Sequence, residues 1–158
     1  MGKLSTMPAM QNPDLRSKTL FFLSDKALSI CCDFKAGTTG GVKEDVAPLA
    51  NAFVWLLGSQ KGMSEVFLKG LCYYCPFVYQ VSLEVSEDNA VNKLELGYSS
   101  ETEQPEKWKK KMILMLSFYA SLIVRGYENE RAGGAPLTHF TLHDAWRWLS
   151  RTVNFCVR

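Results

Sequence analysis

The segment TLHDAWRWLSRTVNFC, residues 141–156, settles the fold class. Leu142, Ala145/Trp146, Leu149, Val153 and Cys156 recur at the three-and-four spacing of one helical face. Thr141 stands at the N-cap position, and Asp144 three residues on completes an acidic form of the capping box. Trp148, Thr152 and Phe155 make a second set on another side of the same helix, because each residue advances about 100°. Arg147, Arg151 and Arg158 form a cationic row. Aromatic surface on two sides predicts an interior layer gripped by its neighbours from both sides, with both indoles in the core. The competing reading makes part of that surface a patch for a binding partner.

Working outward, the chain of 158 residues is one domain long, with 47% hydrophobic and 22% charged residues and a net charge of +2. That balance excludes the strong basic bias of a dedicated nucleic-acid binder. No N-terminal stretch joins a cationic start to an apolar core and a small-residue cleavage site, so no secretory signal is expected. The most apolar run, 112–124, is too short to span a bilayer and contains Ser117 and Ser121. Five cysteines, an odd number, fit reduced thiols in the cytosol or nucleus better than a disulfide framework. Cys72 and Cys75 form a Cys-x-x-Cys pair, yet neither Cys31/Cys32 nor His139/His143 supplies a second pair at a zinc spacing. Buried structural thiols are the expectation, with no metal.

Residues 1–11 lack periodicity and are read as a flexible lead-in to a single helical domain over 12–158. Asn12-Pro13-Asp14 is a helix start, followed by Leu20, Leu23, Ala27, Cys31 and Phe34 along one face. A glycine-rich linker at 35–41 lacks the Lys-Ser/Thr ending of a phosphate loop. A second helix is predicted over 45–57, with Pro48 in its first turn and apolar residues nearly all round, hence deeply enclosed. Ser64 is expected to cap a third, which Pro76 stops by forcing Cys75 out of helical geometry. Alternation through Phe77, Tyr79, Val81, Leu83 and Val85 suggests an extended segment laid across helices. After a polar connection over 86–105, Pro105 opens the longest helix, with Trp108, Met112, Met115/Leu116, Tyr119 and Leu122/Ile123 on its stripe. A loop is expected over 126–136. Lys107, Lys109, Lys110 and Lys111 lie at the end of this helix that its dipole disfavours, either as a solvated face or placed for an acidic partner. The architecture so read is all-α, a stack of antiparallel helix pairs with one extended segment.

No enzyme constellation emerges. His139 and His143 flank the cap of the last helix, no Ser or Cys lies in a nucleophile motif, and no two acids are paired by pattern.

Several ordered patterns resemble the carboxy-terminal domain of the Gle-one-type mRNA export factors. They are Cys75-Pro76-Phe77, Leu96-Gly97-Tyr98, the helix 108–123 with Lys110, Met112 and Phe118-Tyr119-Ala120, and Leu142 followed by Trp146-Arg147-Trp148-Leu149 and Asn154. The resemblance runs from about Lys26 to Asn154. It implies a HEAT-repeat-like helical domain, without catalysis of its own, at the cytoplasmic face of the nuclear pore. It further implies binding to a DEAD-box RNA ATPase whose cycle the domain stimulates, contacts with nuclear pore proteins, and roles in translation initiation and termination. Presence at the pore, in the cytoplasm and in the nucleus follows from the same resemblance.

Two departures from the family pattern carry consequences. Tyr73 and Tyr74 stand where the family commonly has two basic residues before Cys-Pro, part of a pocket for inositol hexakisphosphate. A dense polyanion needs several charge-assisted contacts, so its binding is expected to be weak or absent, with Lys26 and Lys69 as the candidate ligands. The family's domain also continues beyond the Trp-Arg-Trp-Leu helix and follows a coiled coil, which makes this chain a short or partial member. Lys107, Lys110, Arg147 and Arg151 are the candidate partner-binding residues. A helical adaptor for some other protein, or an RNA binder using these cations with Lys109 and Lys111, are the alternatives; the second predicts affinity that falls steeply with salt.

Overall fold

The computed structural model describes residues 12–33, 42–59, 62–78 and 92–156, and among these every regular element is helical. The elements are α1 (Pro13–Asp33), α2 (Val42–Ser59), α3 (Met63–Tyr74), a short 3-10 turn (Pro76–Val78), α4 (Pro105–Arg131) and α5 (Leu142–Cys156). The predicted flexible lead-in and most of the predicted extended segment lie outside the described residues. Its first residues, Phe77 and Val78, close the 3-10 turn instead of extending.

The local start and stop signals act as their chemistry dictates. Asn12 Oδ1 accepts the amides of Asp14 (3.0 Å) and Leu15 (3.4 Å), capping α1. Cys75, held non-helical by Pro76, ends α3 and donates its N–H to the Leu71 carbonyl at 2.8 Å. At α5, Thr141 Oγ1 accepts the Asp144 amide (3.2 Å), while Asp144 Oδ2 accepts the Thr141 hydroxyl (2.6 Å) and amide (3.0 Å).

Other boundaries differ from the reading of the sequence. Helix α2 begins at Val42, so Pro48 lies inside it, beyond the first turn. Among its described side chains Ala50, Phe53, Val54 and Leu57 are buried, whereas Trp55 is exposed. Gly62, not Ser64, occupies the N-cap of α3, and Ser64 is buried within the helix. Helix α4 runs on to Arg131, through the region expected to be a loop. On α1 the inward face is Leu20, Ser24 and Leu28, and the Ser24 hydroxyl meets the Met63 sulfur at 3.8 Å.

The dominant contacts join α2 to α4 and α1 to α3. The rings of Phe53, Phe67 and Phe118 meet at the centre with centroids 5.1 to 6.2 Å apart, and Phe140 closes on Phe67 at 6.2 Å. Phe67, Phe118, Met115 and Leu122 are fully buried. Helix α5 meets this body along α4.

Candidate functional site

The motif residues converge, and what they build is structural. Gly97 adopts φ +83°, and a Cβ there would lie 2.9 Å from Pro76 Cδ and 3.0 Å from the Tyr74 carbonyl oxygen. Only glycine permits both the left-handed backbone and the close approach. Trp108 stacks on Tyr98 (4.8 Å between centroids), lies edge-on to Phe77 (6.0 Å), and donates its indole N–H to the Leu96 carbonyl at 2.9 Å. From the other side, Trp148 donates its indole N–H to the Phe77 carbonyl at 3.0 Å and packs against Tyr119. The Cys-Pro-Phe turn, the Leu-Gly-Tyr turn, the start of α4 and the inward side of α5 are thus one node.

Beside this node, α1 and α3 form a groove of ≈ 770 Å³. Its walls include Lys18, Phe21 and Asp25 from α1 and Val66, Lys69 and Tyr73 from α3. Lys69 is therefore where the resemblance places it, next to Tyr73 and Tyr74, but its ammonium pairs with Glu65 at 2.8 Å. Lys26 is exposed on α1 and lies over the Phe22 ring at 5.6 Å, away from the residues lining the groove. Asp25 accepts a hydrogen bond from the Tyr74 hydroxyl at 2.7 Å, which adds an anion to the wall. Lys18, Phe21 and Asp25 were not singled out from the sequence. Their i, i+3, i+7 spacing marks a common side of α1, but nothing in the pattern states that this side faces α3.

The cationic candidates separate. Lys111 leaves the set: its ammonium is enclosed, 3.1 Å from Glu103 and 2.8 Å from the Ser99 hydroxyl. Burial pushes the Glu103 carboxyl up, but the Ser99 amide and the Lys111 and Lys107 cations outweigh it and hold the carboxyl below its ordinary range. Lys107, Lys109 and Lys110 are exposed on the first turns of α4. Arg147 and Arg151 are exposed on α5 and together line two depressions. The smaller depression, ≈ 120 Å³, also touches His139, Asp144 and Tyr119. Burial, reinforced by Asp144, pushes the Tyr119 hydroxyl up to about 12.

Among the described residues, helix α5 is gripped from one side. Trp148 faces the body, while Trp146 is 70% exposed, and Leu142, Leu149 and Val153 are open beside it. The prediction that both indoles are core is corrected to one. The reason is that α4 offers α5 a single contact face, and the indole N–H of Trp148, not that of Trp146, reaches the Phe77 carbonyl.

The Cys72 and Cys75 thiols are both unbridged. Cys75 is fully buried, and burial pushes Cys72 up to about 11, so the thiolate that metal ligation or redox attack requires is disfavoured. Among the described residues no three His, Cys, Asp or Glu side chains converge on a metal-sized site, and no helix is long and apolar enough to cross a membrane.

The described residues form an all-α body held by the Phe77, Gly97, Trp108 and Trp148 node, with a groove between α1 and α3 and an open side on α5. The chain matches the family model for GLE1-like protein over residues 11–157, and it belongs to that family. The family is one of mRNA export factors associated with the nuclear pore, regulators and not a known enzyme family. No curated protein and no solved structure matches the chain.

Proposed function

We propose that this protein serves mRNA export at the cytoplasmic face of the nuclear pore by binding a DEAD-box RNA ATPase and stimulating its cycle. The observation that carries the reading is the family match across residues 11–157. The convergence of Cys75-Pro76-Phe77, Leu96-Gly97-Tyr98, Trp108 and Trp148 on one packed node supports it. Such an activator works by differential affinity, holding one arrangement of the two ATPase lobes better than the other. A single helical domain over 12–158, stacked in the HEAT-like manner, suits this because a stiff body fixes the separation of what it holds. Nuclear pore proteins and translation factors are further partners in this reading, with the protein distributed between the pore, cytoplasm and nucleus.

Inositol hexakisphosphate is not needed as glue. The α1/α3 groove is walled by Phe21, Val66 and Tyr73, Lys69 is paired with Glu65, and Asp25 adds an anion beside Lys18 in the lining. A polyanion requires more uncompensated cations than that. The test is RNA-dependent ATP turnover by the cognate DEAD-box ATPase with and without the purified protein, each with and without inositol hexakisphosphate. Stimulation that is the same in both arms is expected. No stimulation in either arm would refute the activator role. Stimulation only with the polyanion, or sub-micromolar affinity for it by titration calorimetry, would refute the groove argument alone.

A further inference from the structure

The smaller of the two depressions that Arg147 and Arg151 line contains a buried hydroxyl without a partner. Tyr119 lines this cavity and is 6% exposed, yet its hydroxyl makes no hydrogen bond among the described residues. Its ring packs against those of Phe140 and Trp148. Leaving a buried donor unmet is costly, and native structures nearly always supply an acceptor. Burial, then Asp144, push the Tyr119 pKa up to about 12 while Arg151 opposes them, so the oxygen end of the ring lies within reach of both charged walls. The hydroxyl therefore stays protonated at neutral pH and can donate.

The charges around it favour an anion. At about 100° per residue Asp144, Arg147, Trp148 and Arg151 share an arc of roughly 100° on α5. Arg147 and Arg151 are exposed and line the cavity together with Asp144, its single acid, whose Oδ2 is engaged by the hydroxyl and amide of Thr141. Two guanidiniums against one carboxylate leave the walls net positive, and the remaining lining is apolar apart from His139. The volume of ≈ 120 Å³ is several times the ~10–15 Å³ that one water needs, and well below the ~300–1,000 Å³ of pockets for drug-sized ligands. It suits one tetrahedral oxyanion and is too small for a nucleotide or an inositol polyphosphate.

We propose that this cavity binds a single phosphate group, with the guanidiniums of Arg147 and Arg151 contacting its oxygens and the Tyr119 O–H donating to one of them. Guanidinium forks match the spacing of phosphate oxygens, and the phenol adds a short charge-assisted bond from the buried side. Free phosphate and the phosphoryl group of an ester share this chemistry, and the test separates them. The inference needs neither the family match nor the ATPase reading.

The full chain is titrated calorimetrically with inorganic phosphate and, separately, with O-phosphoserine, at an ionic strength held constant with sodium chloride. Saturable one-to-one binding of at least one of them is expected. Tighter binding of phosphate assigns the site to the free ion, tighter binding of phosphoserine assigns it to an esterified group, and either supports the inference. Tyr119→Phe and Arg147→Gln should each weaken binding about tenfold, the loss of one charge-assisted contact, and Arg147→Lys should fall between Arg147→Gln and the parent. In phosphate-free buffer Tyr119→Phe should melt no lower than the parent, since the hydroxyl it removes has no partner in the protein, and a folding defect then cannot account for lost binding. Absence of saturable binding by either compound, as when water alone fills the cavity, would overturn the inference. So would binding that neither substitution alters, which places the anion elsewhere. A Tyr119→Phe chain melting well below the parent would give the hydroxyl a partner within the protein and overturn it as well.

Discussion

Helices α4 and α5 teach opposite lessons about an apolar stripe. On α4 most of the predicted stripe, Met112, Met115, Tyr119, Leu122 and Ile123, is buried together with Leu114 and Phe118, and its remaining members Trp108 and Leu116 are half-buried. On α5 the more regular stripe, Leu142, Trp146, Leu149 and Val153, faces out, and the helix is held by its other side through Trp148. Periodicity shows that a side is apolar. Whether that side meets the body depends on which neighbour arrives, and one good hydrogen bond to the Phe77 carbonyl helps select the weaker stripe.

The contrast is sharpened first by deletions on the buried side. Phe118→Ala removes a fully buried ring that contacts Phe53 and Phe67, and should cost about 3–5 kcal/mol in denaturant unfolding. A loss below ~1 kcal/mol would mean the α2–α4 contact is looser than described. Trp148→Phe keeps a ring but leaves the Phe77 carbonyl without its donor, for a loss of about 1–3 kcal/mol, whereas Trp146→Phe should stay within ~0.5 kcal/mol. Equal effects at the two positions would break the comparison outright. Thr141→Ala removes the side-chain cap of α5 and should cost ~1 kcal/mol, read as a small drop in melting temperature.

The smallest effect separates the two helices by pH. Glu103, held against Lys111 at the start of α4, has its folded-state pKa depressed below 4.5. Its contribution is fully present above the pKa of the unfolded chain and is lost as pH falls through the lower folded value. Stability should therefore decline as pH falls below about 4.5, and Glu103→Gln should flatten that slope. An unchanged slope in the Gln variant would show that the pair contributes nothing.

Much of the fold was legible because its signals are local. Asn12-Pro13, Cys75-Pro76, Pro105 and the Thr141/Asp144 box each act within a few residues, and each is where the chain predicts it. What failed depends on distant chemistry. Gly126 reads as a helix end, yet it lies inside α4, where a Cβ would meet Leu137 at 3.1 Å and the Phe140 carbonyl at 3.2 Å. It is small for the returning chain, not for a turn. Lys111 reads as solvated until the turn after Gly97 brings Ser99 and Glu103 over it. Trp55 reads as enclosed because α2 is apolar nearly all round, yet it is exposed, while Ala50, Phe53, Val54 and Leu57 are buried. Of the site residues, Lys69 was found on the groove wall, and Arg147 and Arg151 share one edge of α5. Lys18 and Phe21 were missed because the pairing of α1 with α3 is a tertiary fact.

Oxidative footprinting of the two neighbouring tryptophans tests the central claim most directly, that α5 is anchored through Trp148 and presents Trp146 outward. Hydroxyl radicals applied to the native chain, with the modified indoles located by mass spectrometry, should modify Trp146 rapidly and leave Trp148 protected until the chain unfolds. Comparable protection of both in a monomer, or faster modification of Trp148, would contradict it.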